Sequence, residues 1–173
     1  ALLNNFVVER AAFTGVEIGI LQSLREVPGF LAFTTVFVLL ILREQTFAVF
    51  SLALLGVGVA ATGFFPTEYG LYFTTVLMSI GFHYFEAAKQ SLSLQWLSKE
   101  EAPAVLGKLI AVGSITSLVV YSAMWVLLEV FALDYIWNFL LAGGVCTALA
   151  LVMWLGFPHF PAKTTQHKSL VLR

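Results

Sequence analysis

Long apolar runs recur along this chain, divided by short polar or proline-bearing loops, and several reach the roughly 20 residues that cross a bilayer as a helix. In lipid such a run must satisfy every backbone N–H and C=O within itself, and for segments of this length the helix does so. The expected fold class is an all-α membrane protein, a polytopic helix bundle with about five transmembrane helices. Composition agrees. Of 173 residues, 60% are hydrophobic and only 11% charged, and the mean hydropathy is +0.92. Soluble domains carry about 25% charged residues. The net charge of −1 and the lack of a large basic cluster argue against nucleic acid as a partner. Cys146 is the single cysteine, so an intramolecular disulfide and a cysteine-rich metal site are both excluded.

Residues 1–15 hold Asn4, Asn5, Glu9 and Arg10 and are too short and polar to cross, so they are expected to be an extracytoplasmic segment. The bundle is expected over 16–157, with crossings at about 16–42, 47–65, 71–97, 104–131 and 134–157. Arg43-Glu44-Gln45-Thr46 closes the first crossing, and Pro66 ends the second because it cannot continue the hydrogen-bond ladder. Ser98 and Glu101 have the spacing of a capping box before the fourth. Asp134 opens the fifth, and Pro158 and Pro161 break it; residues 158–173 form a polar tail. The chain opens at Ala1 rather than Met and reads as a fragment, with one more span expected upstream.

Charge alternates from loop to loop. Arg43, Lys99, Lys108, Lys163, Lys168 and Arg173 lie on one side; Glu68, Glu129 and Asp134 lie on the other, where Arg10 is the exception. Excess Lys and Arg stay cytoplasmic, which places the N-terminal segment outside and the tail inside. Tyr69, Tyr72, Trp125, Tyr135 and Trp137 then fall at the outer interface, and Trp96 and Trp154 at the inner one. The expected location is a bacterial inner (cytoplasmic) membrane, with the lipid bilayer itself as a partner.

Ionisable groups inside these runs point to function. Thr75, Ser79, His83, Glu86, Lys89, Gln90 and Ser93 lie within about 120° of one face of the third crossing. Glu86 and Lys89 are about 12 Å of helix from either end. An ionisable side chain in hydrocarbon costs about 2.5–3.5 kcal/mol or more unless it meets protein or water. The plainer alternative is an i,i+3 ion pair that neutralises itself and only holds helices together. The lining of a polar path is the favoured reading. His83, one turn before Glu86, is a candidate for proton relay, because imidazole is the side chain that titrates near neutrality. A metal site at this pair is disfavoured, since the crossings hold no other histidine.

In the first crossing Gly15, Gly19, Gln22, Glu26 and Gly29 form a seam, with Arg25 beside it and Pro28 favouring a kink. The glycines suit close helix packing. Gln22, Arg25 and Glu26 either line a cavity or sit near the outer interface, with Arg25 snorkelling. Gly56, Gly58, Ala60, Ala61 and Gly63 let the second crossing approach its neighbours closely. Ser114, Ser117 and Tyr121, with Gly113, give the fourth a weak polar face, and Gly143-Gly144 marks packing or a soft point in the fifth.

Short-looped crossings in this orientation resemble the N-terminal six-helix half of a major facilitator superfamily (MFS) transporter lacking most of its first helix. Gly15-Val16-Glu17-Ile18-Gly19-Ile20-Leu21-Gln22-Ser23 and Leu106-Gly107-Lys108 have the character of the family's second and fifth helices. In the loop after helix two, only Arg43 matches the family's usual Gly, Asp and basic pattern. The Gly-Pro pattern of drug antiporters is absent from Ala111-Val112-Gly113-Ser114-Ile115-Thr116, which argues against that subclass. The resemblance implies alternating-access secondary transport of a small-molecule solute, with a C-terminal half of the same chain as partner. It also implies a cavity lined by the polar faces of helices two, four and five.

The expected function is therefore secondary active transport, with proton coupling as its candidate form. Glu86 and Glu26 would carry proton or substrate charge, Lys89 and Arg25 would balance charge or bind anions, and His83 would relay protons. Gln22, Gln90, Ser114, Ser117 and Tyr121 would line the path. No cofactor is expected, since phosphate-loop, dinucleotide and metal motifs are absent. A structural or assembly subunit is the main alternative. An intramembrane enzyme ranks lower: Glu100-Glu101 resembles the start of a paired-glutamate protease motif, but Val105 stands where its Arg belongs.

Overall fold

The structure, a computed structural model, describes residues 2–157. The tail at 158–173, with Pro158, Pro161, Lys163, Lys168 and Arg173, lies outside the described residues. All regular structure among the described residues is helical. A short α1 (Leu2–Ala11) leads to α2 (Gly15–Phe30), a 3-10 turn (Leu31–Thr34) and α3 (Thr35–Leu39). Then come α4 (Glu44–Thr62), α5 (Glu68–Trp96), α6 (Ala102–Glu129) and α7 (Tyr135–Gly156).

Local chemistry sets many of these limits. The Thr14 side chain accepts from Val16 N–H at 3.3 Å, while the Glu17 carboxylate accepts from Thr14 N–H at 2.8 Å, so each covers a donor left over at the start of α2. The Thr67 hydroxyl accepts from Gly70 N–H at 3.3 Å to open α5. Ser98 N–H donates to Glu101 Oε2 at 3.3 Å, and Glu101 N–H donates to Ser98 Oγ at 3.3 Å, the reciprocal pair expected from their spacing, placed in the turn just before α6.

Both α1 and α6 close on an alanine in the left-handed region, Ala12 at φ 53° and Ala132 at φ 49°. Beyond each, a backbone bond reaches back into the helix, Phe13 N–H to Val7 O at 3.0 Å and Leu133 N–H to Leu127 O at 2.9 Å. A Cβ in that conformation costs roughly 1–2 kcal/mol, which glycine avoids at some loss from its freer unfolded state. Ala132→Gly should therefore raise unfolding free energy by about 0.5–1 kcal/mol. Denaturant titration in detergent reads this directly, and a lowered midpoint would show that the turn carries no strain.

Three helices, α4, α6 and α7, are long and apolar enough to cross a membrane, which is compatible with an integral membrane protein. The remaining expected crossings differ. The one at 16–42 is divided, because α2 gives way at Phe30 to the 3-10 turn before α3 resumes. The one at 71–97 is a continuous helix of 29 residues, but its polar row leaves it less apolar than the other three. The N-terminal segment is helical and docks on the bundle: Phe6 meets the rings of Tyr135 at 5.4 Å and Phe139 at 5.1 Å between centroids.

Helices α2, α5, α4 and α7 stand side by side in that order. Small residues set the spacing. Gly58 lies against the Met78 backbone, and Gly81 against the backbones of Leu55 and Ser51, so α4 and α5 touch main chain to main chain. Gly143 meets the backbone of Ala60 and Gly56, and Gly63 meets Ile136, which does the same for α4 and α7. These pairings run antiparallel, whereas α2 and α5 run parallel. α1 spans one end, where Phe6, Val7, Phe13, Leu21, Leu71, Tyr135 and Phe139 share a core. At the other end Phe47, Ala48, Ala88 and Leu92 pack together. The expected packing role of Gly56, Gly58 and Gly63 agrees with these contacts. α6 stands apart, and none of its residues is buried.

Candidate functional site

The polar residues of α2 and α5 meet along one parallel seam. Ser79 is buried on α5, and its hydroxyl donates to the Arg25 carbonyl of α2. One turn further, the His83 ring lies over Gly29, close enough that a Cβ there would stand 2.7 Å from Cε1. Glycine at 29 is thus what admits the imidazole between the helices. Next to His83, the Tyr84 hydroxyl shares a hydrogen bond of 2.8 Å with Thr34 Oγ1 in the 3-10 turn. The four-residue spacing of Arg25 and Gly29 on α2 and of Ser79 and His83 on α5 brings the first two contacts into register, because residues four apart lie on one face.

Beyond the seam α5 carries its charges outward. Lys89 Nζ donates to both Glu86 oxygens, at 2.6 and 2.7 Å. The two side chains are 43% and 45% exposed, so the pair is open on one side although it lies well inside the helix. Gln90 is exposed beside it, and Ser93 Oγ donates to Lys89 O at 2.8 Å. The row read as one face is therefore two zones: Thr75 and Ser79 are covered by packing, while Glu86, Lys89 and Gln90 face outward.

The other expected residues divide similarly. Arg25 Nε is 3.4 Å from Glu26 Oε1, and both side chains are exposed. Gln22 Nε2 donates to Asn4 Oδ1 at 3.1 Å and so ties α2 to α1. Of the seam glycines, Gly29 is packed, whereas Gly15 and Gly19 have open space around them. On α6, Ser114 Oγ folds back to Ile110 O at 2.9 Å and Ser117 is exposed. Tyr121 borders a different cleft, of about 250 Å³, with Leu2, Asn5 and Trp125. The structure brings α2 and α5 together and leaves the α6 residues away from that seam, with Tyr121 alone of the three on the separate cleft.

Two features escaped sequence reasoning. Thr35 Oγ1 and Thr75 Oγ1 are buried with no hydrogen-bond partner among the described residues, which is uncommon for hydroxyls in packed helices. At the α1 end, Arg10 Nη2 lies 3.2 Å from Asp134 Oδ1 and the guanidinium sits 5.8 Å from the Tyr135 ring centre. The Tyr135 hydroxyl donates to Glu9 Oε2 at 2.9 Å, beside a cavity of about 290 Å³ that Glu129 also borders. Sequence separation hid this group, since its members are over a hundred residues apart. Its ties explain how α1 is held. Compared with protein-family models, with curated proteins and with solved structures, the chain matches none.

Proposed function

We propose that this chain is part of a membrane-embedded secondary transporter that moves a small solute by alternating access. In this reading α2 with α3, together with α4, α5, α6 and α7, make the five crossings, with α1 outside and the Lys- and Arg-bearing loops in the cytoplasm. The observation that carries the reading is the Glu86–Lys89 pair. It is half exposed in the middle of a long helix, where lipid would penalise both charges and a water-filled path would not. The loop charges and the parallel polar seam of α2 and α5 support it. The likeness to an MFS half extends the proposal: a second half would face these polar groups and complete the cavity. His83 and Glu86 would carry protons, Lys89 and Arg25 would balance them, and Gln90 would meet solute.

The assembly-subunit reading has one observation in its favour. α6 has no buried residue, as a helix covered by another protein would.

Cysteine scanning in native membranes separates the two. In a Cys146→Ala background, Glu86→Cys and Gln90→Cys should react with a membrane-impermeant thiosulfonate within minutes. Val119→Cys and Leu151→Cys, on exposed apolar faces, should stay unmodified. Protection of 86 and 90 would remove the polar path and favour the subunit.

A further inference from the structure

The first expected crossing is not one helix, and its two parts are held in different ways. Pro28 removes the N–H that would bond the Leu24 carbonyl. The helix persists to Phe30, tightens into the 3-10 turn at Leu31–Thr34, and restarts as α3. A 3-10 stretch within a helix marks a hinge or a sequence under strain. Before the break, α2 is anchored: Leu21 and Pro28 are buried, the Ser79 hydroxyl holds the Arg25 carbonyl, and His83 closes over Gly29.

After the break the hold is slight. Val36 and Phe37 are exposed, and Val38 and Leu39 rest against the edge of the Phe47–Leu92 cluster. The polar tie is the bond between Thr34 and Tyr84. Thr34 Oγ1 also lies 2.7 Å from Leu31 O. Its single proton satisfies that carbonyl, so Tyr84 must donate to Thr34. Thr35, the next residue, has a buried hydroxyl with no partner among the described residues, so the seated position leaves one hydrogen bond unmade.

We infer that residues 35–42 form an arm that swings about Pro28–Thr34, and that the Tyr84 hydroxyl, bonded to Thr34 at the foot of the arm, is its latch. Release of the arm uncovers the Phe47–Leu92 cluster and the Tyr84 side of α5, the face turned away from Glu86. The motion does not rest on the transport reading.

Hydrogen–deuterium exchange on the whole chain in lipid nanodiscs, with neither solute nor gradient, tests the motion. Tyr84→Phe removes only the latch hydroxyl and keeps the ring, which packs 5.7 Å from Phe47. It should speed exchange of amides 35–42 about fivefold, the factor expected for one lost hydrogen bond, with 16–27 and 46–61 unchanged. Thr34→Val removes the same bond from the other side and should speed these amides at least as much. Pro28→Ala, which restores the missing donor, should slow exchange at 29–34. Unchanged exchange at 35–42 in both latch variants, or equal acceleration in every helix, would overturn the arm. Because no flux is read, failure here leaves the transport reading standing, and absence of transport leaves the arm standing.

Discussion

Gly143→Leu abolishes the packed bundle, while Gly144→Leu, one residue along, leaves it intact. This contrast is the largest expected effect in the molecule. A Cβ at 143 would press on the Ala60 N–H, the Gly56 carbonyl and the Ala60 side chain, and the first two are backbone that cannot step aside. At 144 nothing lies within 4 Å. Between helices in lipid there is little hydrophobic drive, so close van der Waals approach over small residues carries the association. Even Gly143→Ala should cost about 1–3 kcal/mol as overpacking, because the neighbour is main chain. Gly144→Ala should be neutral or stabilise by up to about 1 kcal/mol through helix propensity. Unfolding titrations in detergent, with size-exclusion profiles for the leucine variants, measure both. Similar losses at 143 and 144 would mean that α4 and α7 do not meet along this line.

Glu86→Gln is expected to lower coupled uptake by on the order of 100-fold, the scale on which loss of a proton-transferring group acts. Uptake can be read in vesicles carrying a trapped pH dye while a panel of small solutes is offered. The stability of the same variant says what surrounds the pair. Loss of Glu86 leaves Lys89 uncompensated. Where water reaches it, unfolding free energy should change by less than about 1 kcal/mol, as for exposed pairs. Where lipid surrounds it, the penalty should be about 2.5–3.5 kcal/mol and Lys89→Gln in the same chain should recover most of it. The transport reading expects the small change in stability with the large loss of flux. Unimpaired coupled uptake would remove Glu86 from the mechanism, and the large recoverable penalty would make the pair a structural tie.

Much of the helical plan was legible from local pattern. The expected runs locate α4 and α5, but both open about three residues early, at Glu44 and Glu68, and α4 stops at Thr62, ahead of Pro66; the Ser98–Glu101 bonds form as their spacing implies, in the turn before α6. The Glu86–Lys89 pair closes within α5, since residues three apart on a helix are neighbours whatever else the fold does. The break after Pro28 was legible as a kink, but not as a 3-10 turn followed by a second helix.

Partnership was less visible. Gly15, Gly19 and Gly29 lie on one seam by period, yet only Gly29 receives a neighbour, because the His83 side chain fills the space above it. Gly143 and Gly144 are the same in composition and opposite in surroundings. The single polar row of α5 divides where α2 stops covering it. Ser114, Ser117 and Tyr121 have the right period on α6, but that helix stands away from the α2–α5 seam.

The sequence by itself determined that the long apolar runs are helical and which side chains share a face within them, because backbone hydrogen bonds within a few residues set the helical period; the helix at Leu2–Ala11 was not legible in it. Only the tertiary structure decided that α2 and α5 run parallel around Ser79 and His83, that α4 lies between α5 and α7, and that α6 stays unburied. Those choices depend on the fit of surfaces far apart in the chain, and a residue's angle on its own helix does not say which helix comes to meet it.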